Sequence, residues 1–192
     1  MTKVTIIGAT GSLGRAVTET LLAETDVRLT LFSRTAHRLP IRDRATIIAG
    51  STADNDKLEA AVAGADLVFV ALSGNLPQMT EQVISAMKST GMNRLVFISS
   101  YGIYGEIDGR PAVDNILQPY RKAADLVEQS DLDYTVLRPG WFDNGLDTDY
   151  QLIPKGETIY GHDISRKSIA DLVKRIALDP TLFVKANLGI VR

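Results

Sequence analysis

The sequence predicts an α/β fold in which a doubly wound, mainly parallel sheet carries helices on both faces. Three observations predict it. Short apolar runs alternate with amphipathic helical patterns, the runs are nearly unbroken by polar residues, and the connections between them are short. Strands covered on both faces read as continuous apolar runs. Strict alternation of strand and helix requires parallel pairing through right-handed crossovers.

The expected strands are Val4–Ala9, Val27–Phe32, Ala45–Ala49, Leu67–Leu72, Arg94–Ser99 and Tyr134–Leu137. Between them, Leu13, Ala16, Val17, Thr20 and Leu21 follow helical spacing. So do Leu58, Ala61 and Val62, and then Met79, Val83, Ala86 and Met87. A fourth helix is expected over Tyr120–Gln129, and Gly64, Gly91 and Pro139 punctuate the connections. From Gly145 to Gly156 the chain is polar and reads as an irregular cover for a crevice. Glu157–Tyr160 reads as a short strand, and Ser165 as the cap of a last helix whose apolar face is Ile169, Leu172, Val173 and Ile176. Pro180 stops that helix, and Asn187–Val191 is expected to close the sheet.

The chain has 192 residues, 45% hydrophobic and 23% charged. That suits one domain over 1–192, with a short substrate-side segment from about 141 to 192. There is no cysteine, which excludes disulfides and thiolate metal sites. A net charge of −2 supplies no basic field for nucleic acid. No apolar run approaches the ~20 residues that span a bilayer. Met1–Ile7 enters a strand pattern directly, so no signal peptide is read there and a cytoplasmic location is expected. Asp143, Asp147 and Asp149 lack metal-ligand spacing.

Gly8-Ala9-Thr10-Gly11-Ser12-Leu13-Gly14 lies between the first strand and the first helix. Gly8 permits a tight exit from the strand, Gly11 lets the backbone approach a pyrophosphate, and Gly14 lets the helix pack close to the sheet. The helix N-terminus presents free N–H groups to phosphate, with Thr10, Ser12 and Leu13 in reach. At the start of a βαβ unit this is the dinucleotide fingerprint of a Rossmann-type domain. A site for NAD carries Asp or Glu at the end of the second strand. Here Ser33-Arg34 stands at that point, followed by His37 and Arg38. Arg34, helped by Ser33 and Arg38, suits the 2′-phosphate of NADP(H), with NAD(H) the lesser expectation.

With Ser33-Arg34, several further segments make a recognisable set. They are Val96-Phe97-Ile98-Ser99-Ser100 with Tyr104-Gly105, Arg121-Lys122-Ala123-Ala124-Asp125, and Asp133 to Gly140. Over essentially the whole chain this set resembles the short-chain dehydrogenase/reductase superfamily, in its atypical NmrA-like branch, which includes biliverdin and flavin reductase-like proteins. The resemblance implies that Ala71, Leu72 and Ser73 line the adenosine side, with Ser99 also beside the cofactor. It implies that Ser100 is the active-site serine and that Arg138-Pro139-Gly140 ends its strand beneath the nicotinamide. Each segment falls at the carboxyl end of an expected strand, the edge where such sheets bind ligands.

One departure stands out. Many superfamily members use a Tyr with a Lys four residues later. Aligning Ala123-Ala124-Asp125 puts Leu117 at the tyrosine position and Arg121 at the lysine position. Tyr120 and Lys122 have the wrong separation to share a helix face. Arg121 either holds the nicotinamide ribose or faces solvent. Ser99 and Ser100 also read as hydroxyls capping a strand exit. Tyr101 and Tyr104 lie beside the crevice, while Trp141 and Phe142 read either as a wall for a planar substrate or as core. His162 reads as structural, and Glu106, Asp108 and Arg110 as a solvated loop.

The expected function is an NADPH-dependent oxidoreductase. It delivers hydride to a small planar acceptor such as a flavin, quinone, tetrapyrrole or activated carbonyl. Ser100 and Arg121 are the catalytic candidates, and Tyr101, Tyr104, Trp141 and Phe142 the substrate contacts. The alternatives are a non-catalytic NADP(H)-sensing protein and, more weakly, a nucleotide-sugar epimerase or dehydratase. The expected assembly is a monomer or homodimer.

Overall fold

A computed structural model describes residues 1–192. Eight strands form one sheet in the order β3-β2-β1-β4-β5-β6-β10-β8. In chain order the elements begin β1 (Lys3–Ile7), α1 (Ser12–Glu24), β2 (Arg28–Ser33), β3 (Ala45–Ala49), α2 (Asn55–Val62) and β4 (Leu67–Val70). They continue with α3 (Leu76–Ser89), β5 (Arg94–Ile98), α4 (Gln118–Gln129), β6 (Asp133–Pro139) and β7 (Trp141–Asp143). The last are β8 (Gln151–Pro154), β9 (Asp163–Ser165), α5 (Arg166–Leu178) and β10 (Ala186–Val191). Every neighbouring pair in the large sheet is parallel except β10–β8. This is the doubly wound Rossmann-type architecture the alternation predicts. The chain reverses its direction of winding between β1 and β4, which opens a crevice at their carboxyl ends.

The apolar runs explain the two layers of helices. Val4, Ile6, Leu29, Leu31, Leu67, Phe69, Val96 and Ile98 point to one face and meet α1 and α5. Ile7, Phe32, Val68, Val70, Leu95 and Phe97 point to the other and meet α2, α3 and α4. Alternate residues of one strand therefore feed different cores. Ser165 caps α5, its Oγ accepting from the Ser168 amide at 2.9 Å. Arg94 is buried at the foot of β5 and donates to the carbonyls of Pro180 and Leu182 at 2.8 and 2.7 Å, pinning the 179–185 loop. Burial lowers its pKa to about 10.

Three expectations for the tail need correction. Glu157–Tyr160 is not a strand. Gly156 turns the chain at φ +97°, and Ile159 makes only an isolated bridge to Ile107. The second small sheet forms instead from β7 and β9, in the register Trp141↔Asp163. The 145–156 segment is not wholly irregular either, because β8 pairs antiparallel with β10. β10 is thus an inner strand, seated between β6 and the edge strand β8.

Candidate functional site

The carboxyl ends of β1 to β4 enclose a groove of about 390 Å³. Among the expected site residues, Gly8, Thr10, Gly11, Ser33, Arg34, Ala71, Leu72 and Ser73 line it. Phe32, Thr35, Gly50, Ser51, Thr52 and Met79 line it too, and sequence reading missed them. Gly50-Ser51-Thr52, directly after β3, was the signal available for three of these.

The turn is built as its glycines require. Gly8 sits at φ +94°, and a Cβ there would collide with the Ala71 carbonyl oxygen. A Cβ on Gly14 would run into the Gly8 carbonyl, so α1 docks against the turn only with glycine at that place. Gly11 is different: its nearest obstacle is the Gly8 oxygen at 3.3 Å, and the rest of its surroundings are open. Gly11 is also the N-cap of α1 and offers no side chain to cap it. The amides of Ser12, Leu13 and Gly14 have no carbonyl partner in the protein. Three free donors at the positive end of a helix dipole, beside a residue without a side chain, form an anion cradle. Leu13 contributes only its backbone here, since its side chain is buried in the core.

Beyond the turn, Thr10, Ser33 and Thr35 form a chain of hydroxyls. Thr10 Oγ1 donates to Ser33 Oγ at 3.1 Å, and Thr35 Oγ1 donates to Thr10 Oγ1 at 3.1 Å. Arg34 is exposed beside them and has no carboxylate partner. Arg38 is exposed on the following single helical turn, outside the groove lining. At the other end of the cradle, Arg166 Nε donates to Ser12 Oγ at 3.0 Å. The same guanidinium reaches Asn144 Oδ1 at 2.9 Å and lies 5.1 Å from the Phe142 ring centre. No sequence signal had singled out Arg166.

The two serines after β5 differ. Ser99 is buried and its Oγ donates to the Tyr120 carbonyl at 3.3 Å, holding α4 to the strand end. Ser100 makes no side-chain hydrogen bond within the protein and caps the single turn Tyr101–Tyr104 without using its hydroxyl. Pro139 is buried at the end of β6, opposite Ile190. Arg121, on α4, lies 4.7 Å from the Tyr104 ring centre, and its Nη1 donates to the Ile103 carbonyl at 3.3 Å. It is therefore neither free in solvent nor part of the groove lining.

Other placements correct the reading. Glu106 is not a solvated loop residue: its Oε2 pairs with buried Arg138 at 2.5 Å, and its Oε1 accepts from the Gly156 amide at 2.7 Å. Arg138 is fully buried near the carboxyl end of the inner strand β6, so its side chain is turned into the protein. The Tyr104 hydroxyl accepts from Asn187 Nδ2 at 3.1 Å, and its ring lies within 5.2 Å of the cations of Arg121, Arg138 and Lys155. Burial, with Glu128 nearby, raises its pKa. Tyr104 is thus locked into a polar cluster rather than turned to the crevice. Tyr101 is buried against Ile153, Ile159 and Val191. Trp141 and Phe142 are not core residues, being 64% and 39% exposed. His162 is exposed, stacks on Trp141 and pairs with Asp163.

Comparison with known proteins agrees with this geometry. A family described as NAD(P)H-binding matches residues 8–180. A Rossmann-fold NAD(P)-binding family protein from Shigella flexneri is 35% identical, covering 100% of this chain and 94% of that one, with a TM-score of 0.87. A short-chain dehydrogenase/reductase from Veillonella parvula, solved in complex with NADP, is 30% identical, with the same coverage and a TM-score of 0.89. A curated relative, the (4-alkanoyl-5-oxo-2,5-dihydrofuran-3-yl)methyl phosphate reductase of Streptomyces griseus subsp. griseus, is 28% identical over 72% of this chain and 48% of its own length. The chain spans about half the length of the curated relatives it matches. No helix is long and apolar enough to cross a membrane. With its glycine cradle at the head of α1 and this match over nearly its whole length, the chain belongs to the NAD(P)H-binding family, in a Rossmann fold of the short-chain dehydrogenase/reductase type.

Proposed function

We propose that this chain is an NADPH-dependent oxidoreductase acting on a small planar acceptor, such as a flavin, quinone, tetrapyrrole or activated carbonyl. One observation carries the reading: the free amides of α1 and the unpaired Arg34 flank one groove, with no carboxylate at the end of β2. The amides of Ser12, Leu13 and Gly14 suit a pyrophosphate, and the open space at Gly11 lets it approach. Arg34, with Ser33 and Thr35, suits a 2′-phosphate, and Arg38 adds charge nearby. Ala71, Leu72 and Ser73 flank the adenosine side. Bound there, the cofactor supplies hydride, while the protein supplies orientation and charge. Ser100, its hydroxyl uncommitted, holds the acceptor, and Arg121 supplies positive charge beside it. The NADP-bound neighbour and the curated reductase support this reading.

The acceptor class follows from α4. That helix offers Leu117 and Arg121 where the superfamily pattern would place Tyr and Lys. A delocalised acceptor needs less help from a general acid than a simple ketone. The same feature favours a second reading, an NADP(H)-sensing protein without turnover. Calorimetric titration with NADP⁺, NADPH and NAD⁺, followed by NADPH oxidation assays with flavins, quinones and aldehydes, tests both. Turnover of a flavin or quinone is expected. Tight NADPH binding with no turnover on any acceptor favours the sensor, and no binding at all defeats both.

A further inference from the structure

We propose that His162, held by Asp163 and stacked on Trp141, is the proton donor to the acceptor, whose ring lies on the exposed surface formed by Trp141 and His162. This inference rests on the reductase reading above and supplies the proton that α4 does not.

Of the groups near the ends of β5 and β6, Ser100 is the one assigned above to holding the acceptor, and two others are committed within the protein. Ser99 is bonded to the Tyr120 carbonyl, and the Tyr104 hydroxyl is bonded to Asn187 beneath three cations. His162 is not committed. Its backbone is fixed at the end of β6: the Trp141 amide donates to the His162 carbonyl at 2.9 Å, and that same carbonyl fills the space where a Cβ on Gly140 would go. Its Nδ1 lies 2.5 Å from Asp163 Oδ1. A carboxylate there orients the ring and keeps a hydrogen on Nδ1, and Nε2 has no partner in the protein. A base positioned on one nitrogen with the other left open is the arrangement of a proton-transfer imidazole.

The surroundings describe the acceptor. The imidazole and Trp141 rings are 6.4 Å apart at an interplanar angle of 19°, and Tyr101 meets the imidazole edge-on at 6.4 Å. The Trp141 residue is 64% exposed and the His162 side chain 61% exposed. Two nearly parallel rings open to solvent just after the carboxyl end of β6 form a platform for a third flat ring. The titratable and charged groups facing His162 are Asp163, the first residue of β9, and Tyr101 from the turn after β5. Next to these, Asp143 of β7 is paired with Arg192, whose amide donates to the Asp163 carbonyl.

The C4–H bond of the dihydronicotinamide breaks and its hydrogen leaves with two electrons to the acceptor, which is reduced as NADPH is oxidised to NADP⁺. The His162 Nε2–H bond breaks and its proton joins the acceptor nitrogen or oxygen that gained electron density. Water then reprotonates the neutral imidazole.

Trp141 is the only tryptophan, so its fluorescence reports on the stacked imidazole directly. In the free protein, Trp141 emission is expected to rise with pH as the quenching imidazolium is lost. In quinone or flavin reduction with NADPH, kcat/KM is expected to fall over the same interval. H162Q is expected to abolish the fluorescence transition, remove the basic limb of the pH profile and lower kcat about 10²-fold, with NADPH affinity unchanged. D163N, a second variant that keeps the imidazole but removes the carboxylate that orients it, is expected to lower kcat with NADPH affinity unchanged. Turnover by the parent chain with the basic limb retained in H162Q overturns this assignment and leaves the reductase reading standing. NADPH binding without turnover of any acceptor by the parent chain overturns both.

Discussion

Arg138 and Glu106 form an ion pair closed off from water. Nη1 stands 2.5 Å from Oε2, the Arg138 side chain is fully buried, and the Glu106 side chain is only 12% exposed. Asn187 Oδ1 accepts from Arg138 Nε at 2.7 Å, while Nη2 is buried without a partner. Removing one member strands the other charge in low dielectric. E106A is therefore expected to destabilise the fold by about 3–5 kcal/mol in urea denaturation. An R138M/E106L double variant removes both charges and is expected to recover most of that loss. A double variant no more stable than E106A would show that the pair does more than neutralise itself.

The glycine cradle separates folding from binding. G11A meets only the Gly8 oxygen, so its urea midpoint is expected to stay close to that of the parent. Its methyl group enters the open face of the turn, so its NADPH affinity is expected to fall at least about tenfold, or ~1.4 kcal/mol. G14A pushes backbone against backbone at Gly8 and is expected to lose stability and binding together. Calorimetry and denaturation on both variants check this. Unchanged NADPH affinity in G11A would remove the cradle from the nucleotide site.

The proposed site assigns the choice of nucleotide to Arg34. R34A is expected to weaken NADP binding by about 1.5–3 kcal/mol through loss of a charge-assisted contact. NAD affinity is expected to stay nearly constant. Equal losses for the two nucleotides in parallel titrations would contradict the assignment of Arg34 to the 2′-phosphate.

Glu24 ties α1 to α5 through Lys167 and Lys174, the latter at 2.7 Å. Hydrogen bonds from the two lysines lower its pKa to about 2 from 4.5. A carboxylate depressed in the folded state stabilises it above the unfolded value, and that contribution fades as pH falls from about 4.5 to about 2. Glu24 is partly exposed and screened, so E24Q is expected to cost only about 1 kcal/mol at neutral pH. Melting curves of parent and E24Q are expected to converge toward pH 2 and to draw closer in high salt.

The sheet was legible because each strand carries its own two-sided signal. Val4, Ile6 and Ile7 cannot all be buried unless both faces of β1 are covered. The cradle was legible because spacing alone fixes what Gly8, Gly11 and Gly14 can do. β8 was hidden because its burial depends on β10, a partner far along the chain, and its own residues alternate weakly. Glu106 was misread for the same reason: a glutamate among polar neighbours carries no mark of the arginine that another strand brings to it. Arg166 and His162 are likewise ordinary in sequence, and only tertiary placement sets one on Ser12 and the other on Trp141.

Two seams in the sheet join strands that are distant in the chain, β1 with β4 and β6 with β10, while the other parallel pairs join consecutive strands. Contacts of long sequence separation close large loops before any enthalpy is returned, and they slow folding. The glycine turn stands over the first seam and the aromatic pair beside the second. Helical circular dichroism is therefore expected to recover on refolding well ahead of nucleotide affinity, because the capacity to bind depends on the slowest pairings in the molecule.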